Sequence, residues 1–395
     1  MGSPSWRKTT CTGAQVKRCG CAAFWEVRGK KLVRQTRVVE AVPATTPFIG
    51  PEQLMRETGQ AQLVRLGANE SAFGPSPRAV EAMSRDLPRL AWYGDPESLD
   101  LRDALAEKHR CAPDEILVGA GIDDLMGLAV RAFVGPGNTA LWTLGTYPTF
   151  SYHVIGYGGR PLTTPYRSDG TPDCDALIEA ARRASPTIVY LANPDNPSGR
   201  FIERRELVAF YEALPSDALL LLDEAYADFV DAADLLPPSF GDRLVRLRTF
   251  SKAYGLAGAR IGYALSSRRN ISIFAKIRLQ YGVNRNAQVG ALESLRDEPF
   301  RRHVVDETAR ARDEYYRLAR ELGRSYIESQ TNFVCIDFGT ASAATRVMSD
   351  LLEHGVWVRK PGAPPLDSCI RVSAGTPSMR ATFAAALRAV TEVTV

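Results

Sequence analysis

The sequence predicts an α/β protein in which helices cover both faces of a mostly parallel sheet, joined to a smaller α+β domain. The first part is predicted because short apolar strands alternate with helices from about residue 97 onward. The second part is predicted because the last third of the chain begins with a long charged helical pattern at 300–322 and continues with separated strands.

The individual elements follow from apolar periodicity and from turn residues. Strands are predicted at 115–118, 140–142, 187–191, 218–222, 244–248, 261–265, 333–338 and 369–372. Helices are predicted at 51–59, 99–110, 123–133, 175–184, 203–213, 300–322, 343–354 and 378–391. The segment 64–77 is rich in Gly, Asn, Ser and Pro and is interpreted as an ordered loop.

Length, composition and charge restrict the class of protein. A chain of 395 residues can bury a large core in two domains, and 45% hydrophobic and 24% charged residues are typical of a soluble globular protein. No run of 18 apolar residues appears, so no membrane span is predicted. The net charge of +4 comes from residues 1–40, which hold nine Lys or Arg and two Glu. The rest is nearly neutral, so no nucleic-acid partner is expected.

The basic tail and the cysteines bear on location. The tail is poor in acidic residues and contains Ser and Thr, which fits a transit peptide, a mis-assigned start codon or a disordered extension. The odd number and wide scatter of the cysteines favour a reducing compartment, and the predicted location is cytoplasmic. No metal site is predicted, because there is no second cysteine pair and no nearby histidine beside the tail cysteines. The seven are Cys11, Cys19, Cys21, Cys111, Cys174, Cys335 and Cys369.

Chemically capable side chains follow three of the predicted strands. The segment 193–199 (Asn-Pro-Asp-Asn-Pro-Ser-Gly) follows the first, 223–226 (Asp-Glu-Ala-Tyr) the second, and 249–252 (Thr-Phe-Ser-Lys) the third. Each segment considered alone can be explained without a ligand: the first as an ordinary turn, the second as a helix cap and the third as a surface lysine. Ligands of open α/β sheets bind beyond the carboxyl ends of the strands, and such a polar cluster is costly to bury without a ligand. Together the three segments therefore predict a ligand site.

These segments resemble the signatures of fold-type I pyridoxal-5′-phosphate (PLP) aminotransferases. The run 249–263 (TFSKAYGLAGARIGY) is similar to the signature that carries the PLP-binding lysine, and 193–199 and 223–226 are similar to two others. The segments 66–70 (LGANE), 73–77 (FGPSP) and 371–376 (RVSAGT) resemble the histidinol-phosphate aminotransferase subgroup. The resemblance extends from about residue 48 to the end of the chain.

The resemblance implies a role for each residue at the cofactor. Lys252 would bind the PLP aldehyde and later move the substrate proton, and Asp223 would keep the pyridine nitrogen protonated. Tyr226 and Asn196 match the positions that serve the ring oxygen O3′. The phosphate would be held by Arg260, Ser251 and Thr249 and by the strand-to-helix turn at Gly121, Ile122 and Asp123, whose backbone N–H groups can face an anion. Phe150 would stack on the ring, and Tyr93 would reach the phosphate of the neighbouring subunit.

The resemblance also implies how the substrate is recognised. Arg371 would pair with an acidic group of the substrate, because a planar guanidinium suits bidentate binding of carboxylate or phosphate. Arg359 matches a second arginine that serves the substrate phosphate in the histidinol-phosphate enzymes. Asn69 and Glu70 lie in the segment that closes over the substrate. Here the chain reads Asn-Glu-Ser-Ala at 69–72 instead of the family's Asn-Glu-Asn-Pro, and 145–147 also departs from the common pattern.

The implied organisation has four parts: a basic tail at 1–45, a segment at 46–94 that contributes to the small domain and the dimer interface, a large PLP-binding domain at 95–285 and a small domain at 286–395. The implied partners are amino and oxo acids and a second copy of the chain, with active sites shared in a homodimer.

The predicted function is transfer of an amino group between glutamate and an oxo substrate, with histidinol phosphate and imidazole-acetol phosphate as the expected pair. The alternatives are an aminotransferase acting on an aromatic or specialised amino acid, and a decarboxylase of the threonine-phosphate type. A non-catalytic PLP-binding regulator is a further alternative, but its DNA-binding domain would not fit in a tail without helix-turn-helix patterning.

Overall fold

Twelve strands and thirteen helices make up the part of the chain that the computed structural model describes, residues 33–44, 48–237 and 241–392. The strands are β1 (Val64–Arg65), β2 (Ile116–Gly119), β3 (Thr139–Thr143), β4 (Arg160–Thr164), β5 (Ile188–Ala192), β6 (Leu219–Asp223), β7 (Leu244–Thr249), β8 (Gly262–Ser266), β9 (Tyr326–Ile327), β10 (Phe333–Asp337), β11 (Val356–Trp357) and β12 (Cys369–Ser373). The helices are α1 (Arg37–Glu40), α2 (Pro51–Thr58), α3 (Pro77–Asp86), α4 (Leu99–His109), α5 (Ile122–Phe133), α6 (Thr149–Gly156), α7 (Cys174–Ala184), α8 (Arg204–Ala213), α9 (Arg268–Ala275), α10 (Arg285–Leu295), α11 (Glu298–Glu321), α12 (Ala341–Glu353) and α13 (Pro377–Glu392).

Seven of these strands form the central sheet, in the order β2-β8-β7-β6-β5-β3-β4. Every neighbouring pair is parallel except the two pairs that involve β8. Strands β5, β6 and β7 are buried along their whole length, as expected for parallel strands covered on both faces. The predicted mostly parallel sheet is confirmed.

The strand periodicity of two divides the core of this sheet into two layers. Ile188 and Tyr190 of β5 pack in one apolar cluster, with α5, α6 and α9. Val189 and Leu191 pack in the other, with α7 and α8. Because successive side chains point to opposite faces, an unbroken apolar strand serves both layers and must lie inside the molecule.

A second, smaller sheet region lies in the C-terminal part of the chain. Strands β9, β10 and β12 form an antiparallel sheet, and β1 pairs in parallel with β11. Leu66, which follows β1, is buried in one apolar cluster with residues of α11, α12 and α13. The segment around residue 65 is therefore joined to the C-terminal elements, although almost 300 residues separate them in the chain.

Most predicted elements are confirmed to within one or two residues, and the omissions have physical reasons. Strand β4 was not predicted because it contains Pro161 and polar residues, which are tolerated at the edge of a sheet where β4 lies. The short strands β9 and β11 and the helices α1, α3, α6, α9 and α10 were also not predicted. The expected loop at 64–77 is correct except for the two residues of β1.

The structure also bears on the predictions about the cysteines and about membrane spans. Cys11, Cys19 and Cys21 lie outside the described residues, and the remaining four cysteines carry free thiols. Within the described residues, no helix is both long enough and apolar enough to cross a membrane. The site described below lies entirely within the unit 37–395.

Candidate active site

A cavity of about 640 Å³ lies at the carboxyl ends of β5, β6 and β7. The three polar segments that follow these strands all contribute to its wall, as the sequence predicted. The predicted site residues that line it are Asn69, Glu70, Ile122, Asp123, Asn196, Asp223, Tyr226, Thr249, Ser251, Lys252, Arg260, Arg359 and Arg371.

Lys252 presents a buried amine to this cavity just after β7. Its Nζ donates a hydrogen bond to the carbonyl oxygen of Asn69 at 3.0 Å and lies 5.6 Å from the centroid of the Tyr226 ring. Burial, helped by the positive charge of Arg371, lowers the pKa of Lys252 to about 8. An amine with this pKa is uncharged far more often near neutral pH than an ordinary lysine, so it can act as a nucleophile or as a base.

Asp223 places a carboxylate at the end of β6. One oxygen accepts a hydrogen bond from the Tyr190 hydroxyl at 2.9 Å, and the other accepts one from the Ala225 backbone N–H at 3.0 Å. Burial raises the pKa of Asp223 to about 6, although both hydrogen bonds oppose the shift. A buried carboxylate of this kind gains stability when a cationic or N–H donor group is placed against it.

Glu224, the next residue, points away from the cavity into a buried ion-pair network. Arg246 holds it with two hydrogen bonds of 2.9 Å, and Arg248 adds a third of 2.7 Å. Burial alone would raise the pKa of Glu224, but the two guanidinium groups outweigh it and lower the pKa below its ordinary value. The network links the end of β6 to β7, which carries Lys252.

The N-terminus of α5 and the Arg260 guanidinium form an anion-binding end of the cavity. Gly121 precedes the helix at φ +93°, and a Cβ atom placed on it would lie 2.7 Å from Arg260 Nη2. Backbone N–H groups in the first turn of a helix have no partner within the helix. The Ser251 hydroxyl and that of Thr249, 2.9 Å apart, supply further hydrogen-bonding groups.

The stacking role expected for Phe150 does not fit its position. The Phe150 ring is fully buried in the core, stacked on Tyr190 at 4.6 Å and edge-on to Trp142 at 5.3 Å. It does not line the cavity, whereas Tyr147 does. The Tyr147 hydroxyl donates to Asp123 at 3.2 Å, and burial raises the pKa of Tyr147. Phe150 belongs to α6 and faces the core, so of the two aromatic residues in the segment 147–150 it is Tyr147 that faces the cavity.

Tyr93 lies outside the cavity of its own chain. Its side chain is 78% exposed, and its ring contacts that of Tyr281 with 4.4 Å between centroids. Gly121 adjoins the cavity through Arg260 rather than lining it directly.

Two arginines face the cavity without an acidic partner. The backbones of Arg359 and Arg371 are joined by a pair of hydrogen bonds, so their side chains start from neighbouring positions. Arg371 donates to the Asn196 side chain at 2.6 Å and to the Gly67 carbonyl at 3.1 Å, and Arg359 donates to the Ile49 carbonyl at 2.8 Å. All three acceptors are neutral. Over the described ranges, neither guanidinium forms a salt bridge, so the pair forms a site for an anion.

Tyr226 and Asn69 connect this region to the lysine. The Tyr226 hydroxyl accepts a hydrogen bond from the Asn69 amide at 2.9 Å, and burial raises the pKa of Tyr226 to about 12. Tyr226 therefore keeps its proton at neutral pH and can donate it to a ligand oxygen. Glu70 is bound instead by the Arg65 guanidinium, at 2.8 Å.

Several cavity residues were not predicted from the sequence. They are Phe48, Arg65, Thr146, Tyr147, Trp357 and Lys360. Lys360 directly follows Arg359, so the basic pair in the sequence could have been used to predict that Lys360 also lines the cavity. Phe48 had no such signal, because it reaches the cavity from a segment far away in the sequence.

The arrangement fits PLP. Within one cavity it offers an amine with a lowered pKa, a buried carboxylate, a protonated phenol and a cationic end at a helix N-terminus, which match the aldehyde, pyridine nitrogen, ring oxygen and phosphate of that cofactor. The fold and the cavity thus define the class of PLP-dependent transferases.

Comparison with known proteins identifies the family. Residues 61–387 match the model of the family "Aminotransferase class I and II", so the chain belongs to that family. It is 33% identical to the histidinol-phosphate aminotransferase of Geobacillus thermodenitrificans over 343 residues, which are 86% of this chain and 93% of that protein. It is also 33% identical to histidinol-phosphate aminotransferase 2 of Carboxydothermus hydrogenoformans, over 90% of this chain and 99% of that protein.

Solved structures agree with this membership. The crystal structure of the Sinorhizobium meliloti histidinol-phosphate aminotransferase, in complex with PLP, is 40% identical, with a TM-score of 0.89 over 92% of this chain and 99% of that one. Aspartate aminotransferase from Thermus thermophilus with maleate, at 24% identity and a TM-score of 0.76 over 92% of this chain and 100% of that one, shares the fold. The predicted fold-type I architecture and PLP-dependent aminotransferase chemistry are confirmed.

Proposed function

We propose that this aminotransferase exchanges an amino group between glutamate and imidazole-acetol phosphate, forming 2-oxoglutarate and histidinol phosphate. The observation that carries the proposal is the pair of guanidinium groups, Arg359 and Arg371, that face the cavity with only neutral partners. Two anion-binding groups suit substrates that carry a carboxylate or a phosphate. The names of the similar proteins support the same substrate pair.

PLP, when bound, supplies the electron sink that allows the Cα–H bond of the amine substrate to break. Lys252 Nζ takes and returns that proton, because burial lowers the pKa of its amine and makes the uncharged form far more accessible than in an ordinary lysine. Asp223 holds a proton at the pyridine nitrogen through charge-assisted hydrogen bonding. Tyr226 keeps its own proton and donates it to the ring oxygen.

Arg371 orients the substrate by its acidic group. Its guanidinium is fixed by Asn196 and the Gly67 carbonyl, so it needs little rearrangement on binding. Its Nε is buried without a hydrogen-bond partner, which leaves a donor for a substrate oxygen. Arg359 then serves the distal phosphate, and Asn69 and Glu70 close over the substrate.

The proposal includes a homodimer in the cytoplasm. Trp92, Tyr93, Leu279 and Tyr281 are large side chains at least 54% exposed, and Tyr93 and Tyr281 are in contact. An exposed apolar group of this kind fits an interface between copies of the chain. In such a dimer Tyr93 would serve the cofactor phosphate of the partner subunit.

The test of this function is product identification with purified, PLP-loaded protein. Histidinol phosphate and 2-oxoglutarate should give imidazole-acetol phosphate and glutamate in equal amounts. Lys252→Ala should abolish this reaction, whereas Lys276→Ala, which removes an exposed lysine, should leave it unchanged. Release of CO2 from threonine phosphate without an oxo acid would instead establish the decarboxylase. Turnover of phenylalanine or tyrosine without turnover of histidinol phosphate would establish an aromatic aminotransferase.

A further inference from the structure

A short segment before α2 forms part of the cavity wall beside Arg359. Phe48 and Gly50, with Pro51 at the start of the helix, belong to the cavity wall. The Phe48 ring stacks on the Tyr147 ring, with 5.9 Å between centroids and 30° between planes. The segment is thus in contact with a side chain that faces the cofactor position.

The same segment holds Arg359 in two ways. The guanidinium carbon of Arg359 lies 5.1 Å from the centroid of the Phe48 ring, within the range of a cation–π interaction. Arg359 Nη2 donates a hydrogen bond to the Ile49 carbonyl at 2.8 Å. The Trp357 ring lies 5.6 Å from the same carbon, so two aromatic rings and one carbonyl fix this guanidinium.

These contacts leave the charge of Arg359 available. Aromatic faces and a carbonyl orient a cation without neutralising it, whereas a carboxylate would compete with an anionic ligand. Phe48 is 43% exposed, so its burial adds little to the core.

We infer that Phe48 is a positioning residue that holds the Arg359 guanidinium at the end of the cavity where the distal anionic group of the substrate binds. That group is the phosphate of histidinol phosphate in one half-reaction and the side-chain carboxylate of glutamate in the other. The inference rests on the proposed function for its substrates, but its mechanism concerns only the coupling of Phe48 to Arg359.

The first experiment compares three substitutions of Phe48 in the PLP-loaded enzyme. Phe48→Ala should raise the KM for histidinol phosphate by about 3- to 30-fold, the range expected for loss of one cation–π contact, with little change in kcat. Phe48→Trp keeps an aromatic face and should retain a near wild-type KM, while Phe48→Leu should behave like Phe48→Ala. Tyr157→Ala is the control, because Tyr157 is equally exposed, at 41%, and lies outside the cavity wall. It should leave KM unchanged.

The second experiment is a double-mutant cycle with Arg359→Gln, measured separately for histidinol phosphate and for glutamate. If Phe48 acts through Arg359, Phe48→Ala should have almost no further effect in the Arg359→Gln protein. Additive effects in both half-reactions, or a Phe48→Leu protein with normal KM, would overturn the inference.

Failure of the proposed function would give results that differ from failure of the role proposed for Phe48. An enzyme that ignores histidinol phosphate would disprove that substrate, and the cycle with glutamate, or with whichever acidic amine is turned over, would still decide the role of Phe48. An Arg359→Gln protein with unchanged KM for every acidic amine would overturn the role of Phe48 as well.

Discussion

At the scale of single residues, the proposed chemistry depends on two buried ionisable groups whose pKa values are shifted in opposite directions. Lys252 is driven towards its uncharged form and Asp223 towards its protonated form by the same cause, burial in one cavity. A bound PLP would offset the cost of burying Asp223 by supplying a partner for its carboxylate. Perturbed groups of this kind are expected at an active site rather than in a structural core.

The shift of Lys252 predicts the pH dependence of PLP capture. Only the uncharged amine attacks an aldehyde, so the rate at which cofactor-free protein binds PLP covalently should rise with pH and level off above about pH 8. Stopped-flow absorbance over pH 6 to 11 measures this rate. An inflection near the ordinary lysine value of 10.5 would contradict the burial argument.

The raised pKa of Asp223 predicts that removing its charge increases stability at neutral pH and reduces activity. Its pKa is raised from 3.8 to about 6, so the folded protein holds this proton more tightly than the unfolded chain does. The stabilising contribution is complete below about pH 4 and is lost as the pH rises through about 6. Cofactor-free Asp223→Asn should therefore gain thermal stability relative to wild type when the pH is raised from 4 to 7.

The same substitution should cost activity. An amide cannot hold a proton at the pyridine nitrogen, and kcat should fall by about 100-fold or more. Thermal melts of the cofactor-free proteins and kcat of the loaded proteins provide the two measurements. A difference in melting temperature between the two proteins that stays constant from pH 4 to pH 7 would show that burial does not strain the Asp223 carboxylate.

At the scale of elements, the ion-pair network behind β6 and β7 should be important for stability. Glu224→Gln leaves the guanidinium groups of Arg246 and Arg248 buried without their carboxylate, which should lower the free energy of unfolding by about 3–5 kcal/mol. Denaturation of the cofactor-free protein measures this. Glu179→Gln, which breaks an exposed pair with Arg183, is the matched control and should change little. Equal effects of the two changes would contradict the prediction.

The strands that precede the site residues could be predicted because their uninterrupted apolar residues fit only a strand that is covered on both faces. The run Leu219–Leu222 is too apolar for any place but a covered sheet, and its end at Asp223 marks the cavity. The roles of Tyr147 and Phe150 could not be separated in the same way. Both are aromatic residues in one turn of chain, and only the start of α6 at Thr149 decides which ring faces the core.

At the scale of the whole molecule, the contacts that bring distant segments together carry little sequence signal. The pairing of β1 with β11 involves two residues on each side, and Phe48 reaches Arg359 across more than 300 residues. Neither could be predicted from periodicity, which needs several residues in one pattern. The division into domains at 94 and 285 stays a prediction.

A shared active site predicts complementation between two inactive proteins. Tyr93→Ala and Lys252→Ala each damage every site of their own homodimer. In a mixed dimer one site would combine the intact Lys252 of one subunit with the intact Tyr93 of the other. Mixing the two variants under exchange conditions should therefore restore up to about a quarter of wild-type activity. No recovery after verified subunit exchange would argue against the shared site.

The proposed recognition of a phosphorylated amine as well as glutamate in one PLP-bearing cavity is tested most directly by a single-turnover measurement. The visible absorbance of bound PLP is followed after mixing with histidinol phosphate, with glutamate, or with histidinol, which lacks the phosphate. We expect rapid loss of absorbance with the first two and a much slower loss with histidinol. Equal rates with histidinol and histidinol phosphate, or no reaction with histidinol phosphate, would contradict the proposal.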